Sequence, residues 1–253
     1  MRMISQRIAL VLFVSGVLVS CGCAPSVDEK LDRLYAGERE GSLKIGDLEA
    51  VLADESPKLR SSAAALLGDL DDPRAVPLLA AAAKDANAGV RASAAISLGR
   101  LARREGESVL ITLTHDDSPV VRLKAVRALA KVGGEAAVPA LLEVLETEVD
   151  ADLRVAVVQV LSEIASPASF DAFVALLNDD AVLVRAWAAR GLSVLGDFRA
   201  LPALEALLAS KNRYDRGAAE QAIAQIRAHG EKIAPKDGLK KESPRGRSPR
   251  AAD

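Results

Sequence analysis

Residues 85–101 read DANAGVRASAAISLGRL, and residues 116–132 read DDSPVVRLKAVRALAKV. The two segments align without a gap, 31 residues apart. Each has an acid six residues before an arginine, a valine immediately before it, an alanine three after and a leucine seven after. Working outward, the same frame recurs around Arg60, Arg91, Arg122, Arg154, Arg185 and Arg216, at spacings of 31, 31, 32, 31 and 31 residues. The position six before the arginine holds Asp54, Asp85, Asp116, Glu148, Asp179 and finally Ser210. Self-similarity at a fixed period of this length marks a repeat architecture.

Offsets −1, +3, +7 and +10 from the arginine are apolar in almost every unit, and their steps of four, four and three place them on one face of an α-helix. A shorter apolar helix lies between these segments, as at 75–83, 138–145, 169–177 and 200–208. Pro77, Pro139 and Pro202 fall in the opening turns of these helices, where a missing N–H is not needed. Asp71-Asp72-Pro73, Gly133-Gly134 and Gly196-Asp197 supply the breaks. Each unit is therefore a helical hairpin. About six of them stack into an all-α, right-handed solenoid with polar terminal caps.

The Asp-x5-Arg spacing, the Leu-Gly-x-Leu endings at 67–70 and 98–101 and the Asp-Pro-Arg-Ala-Val-Pro-Leu-Leu turn at 72–79 resemble HEAT repeats. They are closest to the short variety first named from phycobilisome lyases. The resemblance covers about 43–229 and implies a fold more than a function, because this fold hosts many unrelated roles.

A charged pair that returns in every unit reads as a structural ladder, not as a row of catalytic groups. The acids (Asp54, Asp85, Asp116, Asp179) can accept N–H groups at the start of the following helix. The arginines (Arg60, Arg91, Arg122, Arg154, Arg185) can fork to carboxylate and carbonyl oxygens of the adjacent unit. In the last unit Asp215 replaces the apolar residue at −1 and Glu220 stands at +4, a polar face expected of a terminal cap. Asp28 to Ala36 is expected to form the opposite cap.

Ahead of the repeats, Arg2 and Arg7 precede an apolar run from Ile8 to Val19 that is too short to span a bilayer as a helix. That layout is a secretory signal. Its end, Leu18-Val19-Ser20-Cys21, resembles the lipobox of bacterial lipoproteins. The resemblance implies diacylglycerol on Cys21, removal of residues 1–20 and, with Gly22 following, an outer-membrane anchor facing the periplasm of a bacterial cell envelope. An ordinary signal with an incidental cysteine is the alternative. The expected organisation is a signal peptide at 1–20, a lipidated leader at 21–27, the solenoid at 28–230 and a disordered, weakly basic tail at 231–253.

Half of the 253 residues are hydrophobic but only seven are aromatic, so the core must be built from Ala, Leu and Val. That composition suits closely packed helices and excludes a disordered chain. With the two arginines of the signal and the net +3 of the tail set aside, residues 21–230 carry a net −7, against a dedicated nucleic-acid binder. His115 and His229 have metal-ligand spacing to nothing, and no nucleophile, phosphate-loop, dinucleotide or zinc motif occurs. No catalytic residue, metal or cofactor is expected, and the chain reads as non-enzymatic.

Offsets +2, +5 and +9 share a second helix face, and it varies between units. In HEAT proteins this helix lines the concave side, so the resemblance makes it the partner-binding face. Here it carries Arg100, then Lys124, Arg127 and Lys131 together, then the chain's one tryptophan, Trp187, beside Arg190. A tryptophan flanked by arginine is the composition of a binding hot spot; the same ring could instead fold over an alanine-rich gap. The expectation is a monomeric, lipid-anchored scaffold whose concave face binds a protein partner through an acidic segment. Two alternatives stand beside it: an enzyme subunit resembling bilin lyases, and a spacer that presents the basic tail.

Overall fold

The computed structural model describes residues 25–233; the expected signal, the lipobox at Cys21 and nearly all of the expected tail lie outside the described residues. All thirteen α-helices among the described residues are joined by turns and short 3-10 segments, and no strand occurs among them. The chain divides into two compact units, with a boundary between Leu43 and Lys44.

The described part of the first unit is one helix, α1, at Val27–Arg39, which includes the expected 28–36. A capping box starts it: Ser26 Oγ accepts from the Glu29 N–H, and the Glu29 carboxylate accepts from the Ser26 N–H. Leu31 and Leu34 are its buried residues.

The second unit is an all-α solenoid of six hairpins. The short helices are α2 (Ile45–Leu52), α4 (Ala75–Ala82), α6 (Glu107–Leu113), α8 (Val138–Thr147), α10 (Phe170–Leu176) and α12 (Leu201–Leu207). Each is followed by a longer arginine-bearing helix: α3 (Pro57–Leu67), α5 (Ala88–Leu101), α7 (Pro119–Val132), α9 (Ala151–Ile164), α11 (Val182–Leu195) and α13 (Arg213–Ile233). Successive long helices pack on one another as a continuous row, and each short helix packs against the long helix of its own hairpin. The 32-residue spacing comes from α8. It runs ten residues, to Thr147, and delivers Glu148 at the point where the other units place an aspartate.

Offsets −1, +3 and +7 form the buried stripe. Leu59, Leu67, Val90, Leu98, Val121, Leu129, Leu161 and Leu192 are all at most 1% exposed. Burying a side chain of this kind contributes about 1.5–3 kcal/mol. Two further buried columns, at +4 and +6, come from stacking of the long helices: Ala64, Ala95, Val126, Val158 and Ala189, then Leu66, Ser97, Ala128, Val160 and Gly191. At two of these positions, Ser97 and Ala128, the side chain is small because a glycine near the end of the preceding long helix, Gly68 or Gly99, comes close to the backbone. A Cβ on Gly99 would lie 2.7 Å from the Ala128 Cβ and 2.9 Å from its Cα. Three of the long helices end on left-handed residues eleven positions after their arginine: Ala102, Ala165 and Gly196. Such an end satisfies a terminal carbonyl and turns the chain into the next hairpin.

Asp215 does not form the polar face expected of a terminal cap. It is 2% exposed, with its carboxylate held by Arg185 of the preceding hairpin. The acid missing at Ser210 is supplied from the −1 position five residues later.

Candidate functional site

The recurring charges line up along the edge formed by the turns that lead into the long helices. Arg60 Nε and Nη2 reach the two Asp85 carboxylate oxygens at 2.6 and 2.8 Å, and Arg91 grips Asp116 in the same way at 2.6 and 2.7 Å. Arg122 places both nitrogens on one Glu148 oxygen, at 3.0 and 2.8 Å. Arg185 spans both oxygens of Asp215, at 3.0 and 2.9 Å. Each rung therefore joins one hairpin to the next.

The carbonyl contacts lie within the arginine's own unit, not in the adjacent one. Arg91 Nη1 donates to the Asp85 and Ala86 carbonyls, six and five residues back, and Arg60, Arg122 and Arg185 repeat the pattern. The acids accept from the residue that caps each helix, one step ahead of the helix itself. Asp54 accepts from Ser56, Asp85 from Asn87, Asp116 from Ser118 and Asp179 from Ala181. The arginine thus fixes the turn while the acid ties that turn to the preceding hairpin.

The electrostatics follow from this geometry. The Arg60 and Arg91 forks hold Asp85 and Asp116 below the usual carboxylate range, outweighing burial, with a backbone N–H adding to the effect. Burial pushes Glu148 and Asp215 upward, and hydrogen bonds more than offset it. For Glu148 these come from the Asp150 N–H and Arg122; for Asp215, from Arg185 and the Ser210 hydroxyl. Both groups end below their ordinary values. The rung from Arg154 is thinner. It reaches one Asp179 oxygen at 2.9 Å and one carbonyl, and its buried Nε has no partner among the described residues.

The variable face lies on the row of long helices. Arg100 is exposed and pairs with Asp69 of the preceding unit at 2.8 Å, so its charge is already matched. Lys124, Arg127 and Lys131 form no ion pair with any described residue, and Arg127 and Lys131 are exposed. Trp187 is half-buried, with the Arg190 guanidinium 5.1 Å from its ring centroid. With Ala186 of α11 and Ala218 and Ala222 of α13, Trp187 lines a cavity of about 220 Å³.

The structure adds residues that the sequence reading missed. Leu183 and Tyr214 are 61% and 62% exposed and line an open groove of about 820 Å³ beside the Trp187 cavity, sharing Ala186, Ala218 and Gln221 with it. Both stand two residues before their arginines, as does exposed Val120. The signal was available: offset −2 lies four residues before +2 and continues the same face. Away from this face, His115 Nε2 stands 3.5 Å from Glu143 at the surface. No group of three or more His, Cys, Asp or Glu suited to a metal occurs among the described residues. No helix of the described residues is long and apolar enough to cross a membrane.

None of the curated proteins matches the chain. Among solved structures, the complex of CpcE and CpcF of phycocyanin lyase from Nostoc sp. PCC7120 is similar at TM-score 0.55 and 24% identity, over 73% of this chain and 77% of that one. An engineered protein, target OR329, is similar at TM-score 0.54 and 21% identity, over 73% and 96%. A designed armadillo repeat protein in complex with the peptide (KR)4 is similar at TM-score 0.55 and 18% identity, over 73% and 100%. These likenesses show the shared helical-repeat fold. The family description "HEAT repeats" matches residues 45–103, 78–162 and 138–224, which together take in most of the chain. With its hairpins, stacked long helices and ladder, the chain belongs to the HEAT-repeat family, whose solenoids generically serve as protein-interaction scaffolds.

Proposed function

We propose that this protein is a non-enzymatic, lipid-anchored scaffold of the bacterial cell envelope that holds a protein partner on the exposed face of its long-helix row. One observation carries the reading. That face places the cations Lys124, Arg127 and Lys131, unpaired among the described residues, in the same array as the Trp187 cavity and the adjoining groove lined by Leu183 and Tyr214. Desolvated aromatic anchors with a charged rim are the composition of interaction hot spots. The cations suit an acidic segment of the partner, while the groove suits an apolar or aromatic side chain next to it. Anchoring rests on the Leu18-Val19-Ser20-Cys21 sequence and an outer-membrane, periplasm-facing address on Gly22 after it.

Two experiments test this reading. Crosslinking in cells followed by mass spectrometry is compared between the natural chain and a variant with Trp187→Ala, Lys124→Glu and Arg127→Glu. The partner's yield is expected to fall at least tenfold with the helical circular dichroism retained; an unchanged yield removes this face as the docking surface. Metabolic labelling with a clickable fatty acid is expected to mark the natural chain and not the Cys21→Ser variant. Label retained on the variant overturns the anchor.

A further inference from the structure

Among the described residues, the ladder ends on an unfilled grip. In the rungs of Arg60, Arg91, Arg122 and Arg185, Nη1 is fixed by two carbonyls of the arginine's own turn, and the Nε–Nη2 edge holds a carboxylate from the following hairpin. Arg216 repeats the first half of this arrangement. Its Nη1 donates to the Ser210 carbonyl at 2.9 Å and the Lys211 carbonyl at 3.1 Å, the same six-back and five-back pair. No hairpin follows α13 among the described residues, and no described carboxylate pairs with Arg216. Glu220, one turn along the same helix, does not reach it.

The guanidinium is therefore already oriented. A planar fork held at one nitrogen loses little further freedom on gripping a carboxylate. Its surroundings favour an acid as well: Lys211 and Arg213 are exposed nearby, and Arg213 lies over the Tyr214 ring at 4.8 Å.

We propose that the Nε–Nη2 edge of Arg216 is a docking site for a carboxylate side chain of a partner protein, an aspartate or glutamate on a turn leading into a helix. The partner then continues the ladder beyond the last described hairpin. The occupant is assigned by charge complementarity and by the four internal rungs in which the same edge takes that same kind of group. This site is at the end of the array, borders the groove lined by Tyr214, and rests on Arg216, which the reading of the Trp187 face does not use.

The test uses the full chain labelled with ¹⁵N at arginine Nε. The probe is a synthetic peptide of residues 177–184, LNDDAVLV, which carries Asp179 in its own turn. The Arg216 Nε–H resonance is expected to shift saturably, while those of Arg60, Arg91 and Arg122 stay in place. The peptide with Asp179→Asn is expected to bind at least tenfold more weakly, and Arg216→Lys to weaken the natural peptide by a similar factor. The site is overturned if Arg216 moves no more than exposed Arg104, or if the two peptides bind equally. Should Arg216→Lys not fold, the comparison of the two peptides still decides. A paired-type Arg216 shift that exists before peptide is added and vanishes on dilution assigns the site to a second copy of the chain and overturns the partner.

Discussion

Arg91 engages four oxygens with one guanidinium: two carbonyls of its own turn and both carboxylate oxygens of Asp116. The acid it holds is only 8% exposed at its side chain, so it is removed from water and has to remain paired. Hydrogen bonds to charged groups contribute about 1.5–3 kcal/mol each, and Asp116→Asn is expected to cost about 2–3 kcal/mol at pH 7, measured by urea unfolding. The sign of the pH dependence follows from the directions of shift. Asp85, Asp116, Glu148 and Asp215 all lie below their ordinary values. A carboxylate depressed in the folded state stabilises the fold above its unfolded value of about 4, and that stability is lost as pH falls through the folded value. The unfolding midpoint should therefore be level between pH 7 and about 5 and fall below about 4, with the gap between natural chain and Asp116→Asn closing there. A gap that persists unchanged to pH 2 contradicts the ion-pair account. These pairs were legible from the constant offset between acid and arginine, because any repeat of fixed length brings equivalent positions of neighbouring units together. Asp215 was not. The loss of the acid at Ser210 and the break in the apolar column at Asp215 stood in the sequence as two separate anomalies, and only the path of the chain into α13 shows that one compensates the other.

At the scale of elements, α5 and α7 touch through a position with no side chain. Adding a Cβ at Gly99 brings carbon to within 2.7 Å of Ala128 Cβ and 2.9 Å of its backbone Cα, so one helix has to move as a body. Alanine improves helix propensity by about 1 kcal/mol, whereas overpacking costs about 1–3 kcal/mol. Gly99→Ala is therefore expected to lower stability by up to about 2 kcal/mol, and a thermal midpoint raised by the substitution contradicts the close approach. The helices themselves were readable to within a few residues, since apolar spacing, Pro77, Pro139, Pro202 and the Gly-rich breaks mark their bodies and ends. The +4 and +6 columns were not recognised as core. Ser97 and Gly191 carry no hydrophobic signal; Ser97 is buried against Gly68 at the end of α3, and Gly191 makes room for the Phe173 ring of α10. Offset −2 escaped for the opposite reason: Leu183 and Tyr214 look like core residues and are exposed.

Over the whole repeat unit, stability is distributed along a line, since each hairpin touches mainly its neighbours. Amide hydrogen exchange should follow that order. Amides of α5, α7 and α9, covered on both sides by other long helices, are expected to exchange at least tenfold more slowly than those of α13, which has one long-helix neighbour among the described residues. Uniform protection from α3 to α13 would instead indicate a single cooperative block. Fold class was legible at this scale because the period recurs six times, so one local pattern determines the array. The binding face was legible only in part. Lys124, Arg127 and Trp187 stood out as departures from the repeat, yet the match of Arg100 with Asp69, 31 residues earlier, needed both members of a column to be read together.

The thin rung at Arg154 gives the array a mechanical property. A stack braced along one edge resists fanning about that edge and yields first where the bracing is sparsest. Three rungs stiffen the hairpins before Arg154 and a full two-oxygen rung fixes those after it, but between them Arg154 reaches a single carboxylate oxygen and leaves Nε idle. The joint between α9 and α11 is accordingly the one with the fewest guanidinium contacts along the ladder edge. It lies between the cationic third hairpin and the aromatic fifth, so a partner touching both would itself bridge the thinnest rung and brace it from outside.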